Sequence, residues 1–120
     1  MNNPKLPQKV TIFDTTMRDG ELAPGVQLDV RQKLKLAELL EQMRVDVIEV
    51  GYPGVFSKDF DEMRAVSQQV KTSIICGLAG SKPDEIERVA SALETAIRGR
   101  INIFTNVHLA EYSQVTFLKS

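Results

Sequence analysis

The chain has 120 residues, 42% hydrophobic and 26% charged, with a formal net charge of −1. These values are ordinary for one soluble globular domain, and so small a charge gives no field that favours nucleic acid or an anionic membrane. No apolar run approaches the roughly 20 residues that cross a bilayer. Residues 1–9 lack the apolar core of a signal peptide and are predicted to be a flexible lead. The single cysteine fits a reducing cytoplasm.

The first strong feature is an apolar, β-branched run that ends in two threonines and a group of charged residues. The run from Val10 to Phe13 has no helical period and is therefore predicted to be a buried strand. Arg18, Asp19 and Glu21 follow its end. In a parallel α/β fold, catalytic and binding residues lie at this end of the strands. An ordinary polar turn is the alternative.

Three helix–strand units follow in chain order. Asp29 with Gln32 forms a capping-box pattern that predicts a helix up to Met43, with Lys33 on its polar face. Ser57 is predicted to cap the second helix, which runs to about residue 70. The third helix begins with a proline at position 83, includes Ile97 in its apolar stripe and is ended by Gly99. Apolar runs predict strands over residues 45–51, 72–79 and 101–107.

The predicted order βαβαβαβ favours a parallel sheet with right-handed crossovers. Four strands and three helices correspond to the first half of a (β/α)8 barrel, or to most of a small doubly wound sheet. A complete barrel usually needs about 250 residues. We therefore expect residues 10–120 to form a partial barrel that cannot close alone.

The candidate site residues are Arg18, Asp19, Glu49 and His108, because each lies at or just after the end of a predicted strand. The Asp19 carboxylate suits a hard divalent cation. Arg18 could stabilise an oxygen that becomes negative during a reaction, and Glu49 could orient Arg18 or a metal-bound water. The alternatives are a plain Arg18–Glu49 salt bridge and a surface or packing role for His108.

Two further patterns argue against other kinds of site. Cys76 lies in an apolar run, which favours a buried structural thiol over a nucleophile. The first predicted strand is followed by Arg-Asp-Gly-Glu and not by a glycine-rich phosphate turn, which argues against a dinucleotide-binding or P-loop fold.

The segment Ile-Phe-Asp-Thr-Thr-Met-Arg-Asp-Gly-Glu at 12–21 resembles the 2-isopropylmalate synthase family. The similarity continues through Val-Asp-Val-Ile-Glu-Val-Gly-Tyr-Pro at 45–53, Asp-Phe at 59–60 and Ile-Cys-Gly-Leu-Ala at 75–79. It is weaker over residues 101–105 and 107–109. This ordered series of matches covers nearly the whole chain.

The resemblance implies a metal-dependent Claisen condensation on a TIM barrel. Asp19 corresponds to the family's first-strand metal ligand, for Mn²⁺, Mg²⁺ or Zn²⁺. Arg18 corresponds to the arginine that stabilises the developing enolate or alkoxide, and Glu49 to the acid beside it. His108 corresponds less closely to a substrate-binding histidine after the fourth strand. The family condenses acetyl-CoA with 2-oxoisovalerate, the entry to leucine biosynthesis, so the implied partners are these small molecules.

The sequence also departs from the family. Leu22 replaces a usual glutamine and Gly80 a usual arginine, and the segment after Phe104 is shorter. The family's His-x-His metal ligands belong to a later strand, so we expect a truncated chain that is inactive alone. Two alternatives remain open. One is a non-catalytic half-barrel that pairs with itself, with a full-length synthase or with the missing barrel half. The other is a homocitrate or citramalate synthase.

Overall fold

The computed structural model describes residues 8–106 of the chain. Within that range it contains four β-strands and three α-helices: β1 Phe13–Asp14, α1 Val30–Gln42, β2 Val47–Gly51, α2 Lys58–Gln69, β3 Ile74–Ala79, α3 Pro83–Ala92 and β4 Gly99–Ile103. A 3-10 turn, Gly20–Leu22, lies between β1 and α1. The strands are parallel and follow the order β1-β2-β3-β4. The predicted βαβαβαβ order is confirmed, and this is the arrangement of half of a (β/α)8 barrel.

Strand β2 lies at the centre of the sheet. It pairs with both β1 and β3, and all of its residues are buried. Glu49 is opposite Cys76 but Gly51 is opposite Gly77, so the register shifts by one residue at the end of β2. Such an irregularity bends a strand locally and changes where its side chains point. Here the shift comes directly after Glu49, at the carboxyl end of β2.

The hydrophobic core lies between the sheet and the helices. Its largest fully buried apolar side chains are Met17, Ile48, Val50, Met63, Val66, Val70, Ile75 and Val89. Helices α2 and α3 approach β3 so closely that a Cβ atom on Gly77 would lie 2.5 Å from Val89 Cγ1 and 2.9 Å from Met63 Cε. Glycine at this position is therefore a condition of the packing.

The helix starts follow the sequence signals to different degrees. In α1 the backbone N–H of Gln32 donates to Asp29 Oδ1 at 2.8 Å, and the N–H of Asp29 donates to Gln32 Oε1 at 2.9 Å. This confirms the predicted capping box. Ser57 occupies the predicted position before α2, but its side chain makes no capping hydrogen bond. Its backbone is already helical, with φ −59° and ψ −33°, and not in the extended region typical of a cap.

The prediction of a buried first strand is wrong. Strand β1 has only two residues, and the side chains around it are exposed: Val10 is 70% exposed, Ile12 52% and Phe13 38%. The reason is its position, because β1 pairs only with β2 and nothing in residues 8–106 covers its other edge. The apolar residues of segment 10–13 therefore lie at an exposed edge of the sheet and are not buried within residues 8–106.

The end of the third helix also differs from the prediction. Helix α3 ends at Ala92, Ile97 is 63% exposed, and Gly99 is the first residue of β4. The N–H of Leu93 donates to the carbonyl oxygens of both Val89 and Ala90, which tightens the helix end. The chain then has to reach β3, which donates a backbone hydrogen bond to the Arg98 carbonyl. Pairing with β3 thus decides where the helix stops.

Some predictions lie outside the described residues. They concern most of the flexible lead over residues 1–9, the end of the strand predicted over 101–107, and His108. The division into a lead and a partial barrel over residues 10–120 stays a prediction. Among the helices of residues 8–106, none has both the length and the apolar character needed to cross a bilayer.

Candidate active site

The connection after β1 brings Arg18 and Asp19 to the carboxyl ends of the strands. Asp14 starts the turn, because its carboxylate accepts hydrogen bonds from the Thr16 backbone N–H at 3.0 Å and the Thr16 hydroxyl at 2.9 Å. The side chain of Met17 is then fully buried in the core. Because Met17 is held in the core, the next two residues lie at the carboxyl ends of the strands, which we call the rim of the sheet.

Arg18, Glu49 and Asn102 join three strand ends across this rim. The Nε–H of Arg18 donates to Glu49 Oε1 at 2.5 Å, and Asn102 Nδ2 donates to Glu49 Oε2 at 3.3 Å. Glu49 is fully buried, so its charge depends on these partners, whereas the Arg18 side chain remains 24% exposed. The arrangement fixes the guanidinium through Nε, and the partly exposed outer side of the guanidinium can contact a ligand.

Asp19 is placed beside Arg18 but is not part of a metal site within residues 8–106. Its side chain is 60% exposed, and its Oδ1 lies 3.2 Å from Arg18 Nη1. No three His, Cys, Asp or Glu side chains of the described range come together in a way that could hold a metal ion. An exposed carboxylate fits a hard divalent cation as one ligand, but one ligand does not make a site.

Beneath this rim lies a group of five charged side chains, which we call the ion cluster: Glu21, Lys33, Lys58, Asp59 and Glu62. Lys33 Nζ is 2.5 Å from Glu62 Oε2, 3.4 Å from Glu21 Oε1 and 3.8 Å from Asp59 Oδ1. Lys58 Nζ is 2.9 Å from Glu21 Oε2 and 3.3 Å from Asp59 Oδ1. The Lys33 side chain is fully buried, so the three carboxylates are what make its charge tolerable there.

The ion cluster also holds the backbone of two loops. Glu21 Oε1 accepts a hydrogen bond from the Leu28 N–H at 3.1 Å, and Asp59 Oδ2 accepts one from the Tyr52 N–H at 2.8 Å. Partial burial alone would raise the pKa of the Glu21 carboxyl, but the bond from Lys58 and the other donors outweigh it and leave the pKa below its ordinary value. The loops after β1 and β2 are thus tied to the same charges.

A second contact joins the loops after β2, β3 and β4. Glu85 Oε2 accepts hydrogen bonds from the Tyr52 hydroxyl at 3.1 Å and the Gly80 N–H at 2.6 Å. The Tyr52 ring packs edge-to-face on Phe104 with centroids 5.8 Å apart. Burial and then the charge of Glu85 raise the pKa of Tyr52. Glu85 lies so close to Gly80 that any side chain there would displace it.

Cys76 is the buried structural thiol that the sequence predicts. It is fully buried in β3, and burial together with the nearby charge of Glu49 raises its pKa to about 11. A thiol with so high a pKa carries almost no thiolate at neutral pH and is a poor nucleophile.

Two of the concave surfaces formed by residues 8–106 lie at opposite ends of the strands. One, of about 290 Å³, lies beside Arg18 and is lined by Arg18, Glu21, Leu22, Val26, Gln27, Tyr52, Phe56, Lys58 and Asp59. The other, of about 570 Å³, lies at the amino ends of the strands and contains none of the predicted site residues. The smaller pocket combines apolar walls with charged groups at the strand ends, which is typical of small-molecule sites.

The structure therefore brings Arg18 and Glu49 together and leaves Asp19 next to them, while His108 lies outside the described residues. Because the salt bridge was expected with or without a catalytic role, it does not separate the two interpretations. Sequence reasoning missed Asn102 and placed Lys33 wrongly on the polar face of α1. The signal for Lys33 was its spacing of four and seven residues from the buried side chains at 37 and 40.

The comparison with known families and proteins agrees with this geometry. The model of the HMGL-like family matches residues 9–115, which is most of the chain. The chain belongs to the HMGL-like family. This family's domain is a TIM barrel, and the four described strands are the part of it seen here.

The most similar relatives of this HMGL-like chain include proteins named 2-isopropylmalate synthase. That of Caulobacter vibrioides is 46% identical over 95 residues, which cover 79% of this chain and 18% of the relative. That of Heliobacterium modesticaldum is 46% identical over 97 residues, 81% of this chain and 19% of the relative. That of Aromatoleum aromaticum is 45% identical over 93 residues, 78% and 18% respectively. The matched segment thus spans under a fifth of these relatives.

Proposed function

We propose that this chain supplies the first part of the active site of a 2-isopropylmalate synthase-type acyltransferase. The observation that carries the proposal is the identity of 45–46% to proteins named 2-isopropylmalate synthase. The pair of Arg18 and the buried Glu49, 2.5 Å apart at the carboxyl ends of neighbouring strands, agrees with it. The exposed part of the Arg18 guanidinium binds the 2-oxo acid and stabilises the oxygen that becomes negative during condensation.

The reaction proposed for the complete site joins acetyl-CoA to 2-oxoisovalerate, as at the entry to leucine biosynthesis. Glu49 is a positioning residue that keeps the Arg18 guanidinium oriented towards the pocket. Asp19 would supply one oxygen ligand to a Mn²⁺, Mg²⁺ or Zn²⁺ ion, and such an ion would serve as a Lewis acid in the condensation. His108 contributes to substrate binding. A cytoplasmic location belongs to the proposal and is supported by the free thiol of Cys76.

The 120-residue chain alone is expected to be inactive. Within residues 8–106, Asp19 is the one proposed metal ligand, and a catalytic divalent ion needs several. The assay is release of free CoA thiol from acetyl-CoA in the presence of 2-oxoisovalerate and Mg²⁺ or Mn²⁺. Steady turnover by this chain alone would contradict the expectation of inactivity.

A chimera tests the proposed function itself. The 95-residue segment of the Caulobacter relative that aligns with this chain is replaced by the matching segment of this chain. We expect the chimera to release CoA thiol, and Arg18→Lys and Glu49→Gln to lower kcat about 100-fold. Arg31→Lys on the exposed side of α1 is the matched control and leaves the rate unchanged. Equal rates in all four proteins would refute the roles of Arg18 and Glu49.

A second candidate function is a non-catalytic half-barrel that pairs with a second copy of itself. The observation that favours it is the exposed apolar surface at both edges of the sheet, around β1 and at Ile103 and Phe104 of the β4 edge. Two copies could cover these edges by pairing β4 of one with β1 of the other. Light scattering after size exclusion decides, since a folded species of monomer mass over a wide concentration range argues against pairing.

A further inference from the structure

The buried ammonium of Lys33 is the most unusual charge in the described part of the molecule. It projects from α1, the helix that follows the Arg18 segment, and its side chain has no solvent exposure. A lysine in such a place is costly unless it is paired. Its partners are Glu62 at 2.5 Å, Asp59 at 3.8 Å and Glu21 at 3.4 Å.

Two of these partners belong to α2, whereas Glu21 belongs to the 3-10 turn that follows Asp19. Glu21 is therefore the member of the ion cluster that connects the helices to the segment bearing Arg18. Its own carboxylate is nearly covered, with 13% of the side chain exposed, and both oxygens are engaged by lysine ammonium groups. Movement of this turn would have to pull Glu21 away from Lys33 and Lys58 at once.

The same charges also set the neighbouring loop. Asp59 Oδ2 accepts the N–H of Tyr52, directly after β2, and a Cβ atom on Gly51 would lie 2.8 Å from the Asp59 carboxylate. Strand β2 carries Glu49, the partner of Arg18. The ion cluster thus fastens the loops on both sides of the Arg18–Glu49 pair to one pair of helices.

We infer that Lys33 is a positioning residue, which acts through Glu21 to hold Arg18 and Asp19 in place at the strand ends. The inference rests on the proposed function, because it assigns Lys33 to the geometry of that same site. Lys33 touches neither Arg18 nor Asp19 in the contacts of the described residues, so its effect on them is indirect. A buried ion pair adds little net stability, because desolvation of the charges offsets their attraction. We therefore assign Lys33 a role in the arrangement of the loops around it.

The test is Lys33→Met in the 120-residue chain, with Lys35→Met as the matched control. Lys35 lies on the same helix but is 67% exposed, and its one ion-pair partner among residues 8–106 is Glu38 at the surface. The readout is the Nε–H resonance of Arg18, which its bond to buried Glu49 should shift and protect from exchange. We expect Lys33→Met to speed exchange of this proton at least 10-fold, and Lys35→Met to leave it unchanged.

A second variant keeps the test decisive if Lys33→Met does not fold. Glu21→Gln keeps an acceptor for the Leu28 N–H but removes the charge that the two lysines hold, and it should also speed exchange at Arg18. Unchanged Arg18 exchange in a folded Lys33→Met or Glu21→Gln protein would overturn the inference, as would an unprotected Arg18 Nε–H in the unsubstituted chain. This readout reports whether Arg18 is held, so it can fail independently of the chimera's activity.

Discussion

Replacing Arg18 by methionine should destabilise the fold far more than its position near the surface suggests. The substitution keeps an unbranched apolar stem but removes the group that donates to Glu49 Oε1 at 2.5 Å. Glu49 is fully buried, and Asn102 at 3.3 Å would be its remaining hydrogen-bond partner among the described residues. Removing one partner of a buried ion pair costs about 3–5 kcal/mol. Because water can reach the partly exposed Arg18 site, we expect the lower end, about 3 kcal/mol.

The measurement is urea unfolding followed by far-UV circular dichroism. Arg31→Met, an exposed change on α1, is the control and should cost at most about 0.5 kcal/mol. The double variant Arg18→Met/Glu49→Gln removes the orphan charge and should recover at least half of the loss. If Arg18→Met alone leaves no folded baseline, a cooperative transition in the double variant gives the same answer. A loss no larger than that of Arg31→Met, or no recovery in the double variant, would refute this reasoning.

Two further predictions concern the segment just before β3 and the packing of β3 against α2 and α3. Glu41→Gln should cost about 1–3 kcal/mol, because Glu41 accepts hydrogen bonds from the Thr72 N–H at 2.6 Å and the Thr72 hydroxyl at 2.9 Å, just before β3. Burial raises the pKa of the Glu41 carboxyl, but these bonds outweigh it and leave the pKa below its ordinary value. The stabilisation by the ionised carboxylate is therefore lost as the pH falls through the lowered pKa. Urea unfolding should show the difference in free energy of unfolding between the two proteins shrinking as the pH falls below the ordinary pKa of a glutamate. Gly77→Ala should cost about 1–3 kcal/mol in the same assay, since its methyl would overlap Val89 and Met63, and an unchanged unfolding midpoint would show that the helices can move away.

The sequence was sufficient to predict the order of the elements and the convergence of Arg18 with Glu49. Both depend on local patterns: apolar runs and turn residues define the strands, and parallel pairing then places strand ends at one rim. The capping box at Asp29 and Gln32 is local in the same sense, and it is present. The boundary of α3 was missed because it depends on where β4 pairs with β3, which no local signal near Gly99 records.

The charges beneath the rim could not be predicted with the same success. Lys33 was assigned to the solvent face because lysine is usually exposed, although its spacing matches the buried stripe of α1. What keeps it inside is a set of carboxylates that come from the 3-10 turn and from α2. Asn102 was missed for a related reason, since its partner Glu49 is 53 residues away in sequence. Contacts of this kind are set by tertiary structure.

The strand order has a consequence for how the site is assembled during folding. Each strand pairs with its neighbour in sequence, so the sheet can grow by adding one helix–strand unit at a time. The unit of β2, α2 and β3 supplies half of the buried core side chains and is expected to nucleate folding, whereas two-residue β1 joins late. The Glu49 side chain would then be buried before Arg18 is in place to pair with it. The docking of Arg18 is expected to be among the last steps that complete the native state.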